Sequence, residues 1–124
     1  MNAGDVFRLG GVADIHTWAV ISDPILDPER VLLVNFTSFD RFVDQSCVLD
    51  IGDHPFITGR TCANYPRARE ARDEDLEVLK AAGRLLMLDS LRPEILKRIR
   101  DRSMDSKDMD IELADILMDQ GLVE

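Results

Sequence analysis

The chain is short of nearly everything that marks a common site from sequence. It has no run of about 18 apolar residues, the minimum for a spanning helix, so no membrane insertion is expected. Its first residues, Met1 to Asp5, lack the basic start and apolar core of a signal peptide, and a cytoplasmic location is expected. Cysteine occurs only twice, at Cys47 and Cys62, with no CxxC or Cys/His spacing. That excludes a disulfide framework and a zinc ribbon, and leaves two reduced thiols inside strand-like runs. There is no GxGxxG, P-loop or GxSxG motif. Two histidines, His16 and His54, are all the imidazole the chain has, without the HxH or HExxH spacing that a metal centre would use. No metal and no cofactor are expected.

What is present is ordinary globular composition. The 124 residues are 45% apolar and 31% charged, enough for one domain with a sizeable core. The net charge is −9, which argues against nonspecific binding to nucleic acid or anionic lipid. The surplus is uneven. Residues 1–72 carry 10 acids and 7 arginines, net −3, whereas residues 73–124 carry 14 acids and 8 bases, net −6. Arg60, Arg67, Arg69 and Arg72 cluster in sequence with only Glu70 among them, which allows either a local anion-binding patch or, more commonly, scattered surface charge.

Residues 1–72 read as β structure. Strands are expected at Val6–Leu9, His16–Ser22, Val31–Thr37, Ser46–Leu49, Phe56–Thr58 and Arg60–Tyr65, with Gly10-Gly11, the loop at Ala13-Asp14-Ile15 and Asp23-Pro24 as breaks. The unbroken apolar start of Val31–Thr37 predicts burial on both faces. Several short strands at this spacing predict a small barrel or sandwich. The pattern changes at residue 73. Asp73 is the expected N-cap of a helix ending at Ala82, with Gly83 as its stop. Leu85–Leu88 is a further strand or a buried connector. Pro93 opens a second helix with Ile95, Leu96 and Ile99 on its inner face. A third runs from Asp110 to Gln120, with Ile111, Ala114, Ile116, Leu117 and Met118 as apolar positions and Leu122-Val123 docking behind it. The expected class is therefore α+β, one domain over 1–124, with a β part at 1–72 and a helical extension at 73–124.

The stretch Gly52-Asp53-His54-Pro55-Phe56-Ile57 has the most distinctive chemistry. Gly52-Asp53 is a turn signal, and Pro55 restricts His54 to extended backbone at a turn-to-strand transition. His16 begins one strand and His54 leads into another. Metal-free RNA cleavage needs a base for the 2′-OH proton and an acid for the 5′-oxygen, and histidine suits both near neutrality. With the two histidines as the acid–base pair, Thr37 and Ser38 would offer hydroxyls and Arg60 or Arg67 would hold phosphate charge. Asp53 would flank the site, and Tyr65 would stack on a base or donate its phenol.

Gly4-Asp5-Val6-Phe7, then Trp18-Ala19-Val20-Ile21-Ser22, then Val31 to Ser38 resembles the PemK/MazF (Kid/CcdB-type) family of bacterial toxins. The resemblance covers about residues 4–40, with weaker support at 60–72. Ser46–Leu49 with the Gly52–Ile57 block is similar to small bacterial proteins of the same barrel type. The resemblance implies an SH3-like barrel of about five to seven strands followed by two or three short helices. It further implies a homodimer, an antitoxin protein as partner, and metal-independent endoribonuclease action on single-stranded RNA. The family's threonine after the third strand matches Thr37. Its arginine before the second strand falls on His16, a departure that leaves His16 as the acid or base. The alternative is a non-catalytic barrel that binds a protein partner.

Overall fold

A computed structural model describes residues 1–10 and 16–124. The expected break at Gly11 and the loop at Ala13-Asp14-Ile15 lie outside the described residues.

The architecture is α+β. Strands β1 (Val6–Leu9), β2 (Thr17–Val20), β3 (Val31–Ser38), β4 (Val48–Leu49), β5 (Thr61–Ala71) and β6 (Leu85–Leu88) form one sheet in the order β4-β5-β3-β2-β1-β6. Every pairing is antiparallel. Among the described residues β4 and β6 are the two edges, so the sheet does not close by pairing on itself. Helices α1 (Asp73–Ala81), α2 (Pro93–Ser103) and α3 (Ile111–Asp119) complete the chain. None is long and apolar enough to cross a membrane.

Side-chain alternation explains why β3 sits at the centre. Its even positions, Leu32, Val34 and Phe36, join Val6, Ala19 and Ile21 in one core that α2 and α3 cover with Ile95, Ile99, Ile116 and Leu117. Its odd positions Val31 and Leu33 join Phe7, Trp18 and Val20 in a second core, closed by Leu76 of α1 and Leu85 of β6. A strand apolar on both faces belongs between two layers. Each large apolar side chain so buried contributes roughly 1.5–3 kcal/mol. After Leu33 the odd positions turn polar, at Asn35 and Thr37, and α1 does not reach that far along the sheet.

Strand β5 carries the main irregularity. Asn35 pairs with Asn64 and Leu33 with Arg69, so a two-residue step on β3 faces a five-residue step on β5. The three extra residues form a bulge containing Pro66, which has no N–H to give a ladder. In a regular strand, residues 64 and 69 would point to opposite faces. The bulge reverses that parity and puts Asn64 and Arg69 on the same one.

Several boundaries depart from expectation. Phe56–Thr58 is no strand: the Ile57 N–H donates to the His54 carbonyl and closes a turn. The run expected at Ser46–Leu49 shortens to Val48–Leu49, and that expected at Arg60–Tyr65 lengthens past Pro66 to Ala71. Leu85–Leu88 is a strand paired with β1, so the chain after residue 73 adds to the sheet as well as covering it. Asp73 is the first residue of α1, not its cap. Arg72 takes the cap position without a side-chain bond, and the Asp73 carboxylate accepts from the Met1 amino group at 3.0 Å. Gly83 follows α1 with φ of 72°, the left-handed stop expected of it. In α3, Ile111 and Met118 are exposed while Ala114, Ile116 and Leu117 are buried.

Candidate functional site

Among the described residues, the polar end of the β3 odd face is not covered by a helix. Trp18, Asn35 and Asn64 form a row across β2, β3 and β5, each directly opposite the next. With His16, Thr37, Arg67 and Arg69 they line a cavity of about 470 Å³. A second cavity of about 320 Å³ continues over His16, Thr37, Ser38 and Asp40 towards Phe56 and Thr58. His16 and Thr37 belong to both. The two hollows therefore adjoin and are treated as one groove.

The donors and acceptors in the groove are unlike each other. Arg67 and Arg69 bring two guanidiniums, and that of Arg69 lies 5.7 Å from the centre of the Trp18 ring, which holds it by a cation–π contact. Glu70 is taken up elsewhere, by Arg30 at 3.1 Å. His16 stands within 3.3 Å of the Phe36 carbonyl through Nδ1. A carbonyl only accepts, so Nδ1 carries the proton in the neutral ring. Asn35 is 4% exposed, and its Oδ1 is buried without a hydrogen-bond partner. Such an orphan costs about 1–3 kcal/mol in a folded protein. Buried polar groups without a protein partner are few.

Of the residues singled out from sequence, the structure brings His16, Thr37, Ser38 and Arg67 to this groove. It does not bring the other four. His54 is 4% exposed, and both its nitrogens are committed. Nδ1 accepts from the Phe56 N–H at 3.1 Å, and Nε2–H donates to the Asp89 carbonyl. These are the bonds of a neutral ring tying the Gly52–Ile57 turn to the chain beyond β6. Gly52 makes that turn possible with φ of 100°. Asp53 faces Arg98 at 3.3 Å and Arg92 at 3.9 Å and accepts from the Asp50 N–H. Tyr65 is 1% exposed and donates its phenol to the Ile99 carbonyl at 2.6 Å, fixing β5 to α2. Burial drives its pKa upward. Arg60 pairs loosely with Asp50 at 3.8 Å and lies over the Phe39 ring. Both thiols are buried, and burial pushes Cys47 up to about 11, which leaves it unreactive near neutrality.

Asn35 and Asn64 were not among the sequence candidates. Each did carry a signal: an amide inside a strand whose neighbours are apolar, where asparagine is otherwise depleted. Among the described residues no group of three or more His, Cys, Asp or Glu side chains is placed to hold a metal ion. No protein-family model matches the chain, and no curated protein or solved structure matches it significantly.

Proposed function

We propose that this chain is a toxin-like, metal-independent endoribonuclease that binds single-stranded RNA along the β3 groove. One observation carries the reading: His16 and Thr37 line one cavity on the sheet with Arg67, Arg69 and two asparagines. Two guanidiniums suit phosphates, amides suit base edges, and a sheet face open to solvent suits an unpaired strand. The six-stranded sheet would stand as an SH3-like barrel of the PemK/MazF type, working as a homodimer in the cytoplasm under the control of an antitoxin.

In this reading the acid–base pair is not His16 with His54. Asp40 is the other acid–base side chain lining the groove. Its carboxylate takes the 2′-OH proton as O2′ attacks phosphorus. The bond to O5′ then breaks, and the His16 imidazolium supplies the proton that O5′ acquires. The products are a 2′,3′-cyclic phosphate and a free 5′-hydroxyl. Arg67 and Arg69 stabilise charge on the pentacoordinate phosphate, and the Thr37 hydroxyl orients it.

The test is cleavage of mixed-sequence RNA in EDTA by wild type, His16→Ala and His54→Ala, with binding measured in parallel. Loss of the acid–base group in His16→Ala lowers the rate by about 10²-fold or more. His54→Ala cleaves at the wild-type rate per folded molecule. RNA bound but not cleaved by wild type would leave a non-catalytic RNA-binding face. RNA neither bound nor cleaved would favour the second reading, a protein-interaction module, which the structural role of His54 and the net charge of −9 already favour.

A further inference from the structure

The edge strand β6 reads Leu-Leu-Met-Leu, and it leaves Leu86 53% and Met87 37% exposed to solvent. We propose that β6 pairs antiparallel with β6 of a second copy of this chain, about a two-fold axis at Leu86. Two sheets then run on as one. The proposal goes beyond the nuclease reading: it gives the homodimer an interface, and it stands whether or not the groove binds RNA.

Exposed sheet edges are normally defended by charge, proline, a bulge or extreme shortness. The edge β4 is defended by its length, only two residues. Strand β6 is twice as long, carries no charge or proline, and pairs with β1 without a bulge. Its backbone says what it accepts. The Gly10 N–H donates to the Arg84 carbonyl, so residues 84, 86 and 88 turn their backbone groups towards β1. Leu85 and Met87 therefore turn theirs outward. So does Asp89, but its carbonyl already accepts from His54, which closes the edge at that end. A two-fold axis through a sheet keeps each face on its own side, so only residues of like parity can oppose one another. With Leu86 opposite the second copy's Leu86, Leu85 of each copy faces Met87 of the other. Every outward N–H and carbonyl of the two strands then has a match, in exchange for water. An axis at Met87 would instead set Leu85 against Asp89, whose carbonyl His54 occupies. Charge chooses the direction. Arg84 and Asp89 flank the strand, both are exposed, and among the described residues neither forms an ion pair. Antiparallel pairing brings the Arg84 end of each copy to the Asp89 end of the other, whereas parallel pairing would set like charges together. At the centre the two exposed leucines meet across a pair without hydrogen bonds, where Cα atoms lie about 4.5 Å apart.

Sedimentation equilibrium on the full chain, with circular dichroism as the check of folding, tests the interface. Met87→Pro removes an N–H that points away from β1, so the sheet within one copy keeps its bonds. Wild type sediments as a dimer, and Met87→Pro and Leu86→Asp as folded monomers. Arg84→Asp raises the dissociation constant about tenfold at low salt, and Arg84→Asp with Asp89→Arg restores it. The register is read by cross-linking with oxidised glutathione. Leu86→Cys gives a covalent dimer, because a Cα separation of about 4.5 Å lies within the span of a disulfide. Met87→Cys gives none, and the native thiols are buried. This second measurement decides if Met87→Pro fails to fold. A wild type that stays monomeric would overturn the proposal and leave the edge to an extended segment of a different protein. A dimer that survives both Met87→Pro and Leu86→Asp would overturn it by placing the interface elsewhere. Cross-linking through Met87→Cys and not Leu86→Cys would overturn the two-fold axis at Leu86.

Discussion

At the scale of single residues, His54 and Tyr65 show how a polar side chain can look functional in sequence and be structural in the fold. Each is almost wholly buried, and each donates to a backbone carbonyl far away in sequence: that of Asp89 for His54 and that of Ile99 for Tyr65. Removing the Tyr65 hydroxyl leaves the buried Ile99 carbonyl unpaired, which costs more than the bond's net worth. Tyr65→Phe removes one hydroxyl and little volume, and a loss of about 1–2 kcal/mol is expected in urea unfolding. His54→Ala loses two bonds and opens a cavity against Phe56, whose ring centre is 4.9 Å away. A larger loss, about 2–4 kcal/mol, is expected there. Asn35 is the opposite case. Asn35→Leu removes a buried oxygen without a protein partner, so it should unfold at the same or a higher urea concentration. A marked destabilisation would mean that the amide is structural after all.

At the scale of elements, local signals of stop and alternation were readable, whereas the cap expected at Asp73 and the long-range pairings were not. Pro93 at the start of α2 and Gly83 after α1 stand where the sequence places them, because each acts through its own neighbours, while Asp110, expected to begin α3, caps it instead. The Asp110 carboxylate accepts from the Glu112 N–H at 2.8 Å. The double-sided burial of β3 was legible for the same reason. The extension of β5 through Pro66 was not, since only the pairing with β3 determines how three residues bulge out. That bulge also decides which face Arg69 takes, so the candidate site was half legible: His16, Thr37 and Arg67 from residue type, but not the Asn35–Asn64 row. Asp44 is a tertiary contact of the same unreadable kind. Burial alone would raise its carboxyl, but hydrogen bonds from Ser106 and Ser46 outweigh that and hold it below the usual aspartate range. A depressed carboxyl adds stability that is full above the unfolded pKa and disappears as the pH falls through the folded one. Asp44→Asn is therefore expected to unfold more easily than wild type at pH 7. The gap should close in acid, and a gap independent of pH would remove Asp44 from this role.

At the scale of the whole molecule, a net charge of −9 has to be reconciled with a groove that binds an anion. Position reconciles them. Residues 105–124 hold seven acids against one lysine, net −6, and they form α3 and its flanks. Those elements cover the even face of β3, whereas the groove opens on the odd face, so the sheet stands between most of the surplus charge and the arginines. At physiological ionic strength the screening length is about 8 Å, less than the roughly 10 Å between packed layers. The acidic tail therefore lowers the encounter rate at low salt more than it weakens the bound state. Binding to single-stranded RNA should then show a shallow salt dependence set by the groove alone. Two phosphates neutralised by Arg67 and Arg69 correspond to a slope of log K against log salt of about −1.4. Arg67→Ala or Arg69→Ala should each bring that slope to about −0.7, with weakening shared alike by all sequences, whereas Asn35→Leu should leave it unchanged. A slope much steeper than this in wild type would mean that cations outside the groove hold the backbone. A slope unchanged in both arginine variants would move the phosphates off this face of the sheet.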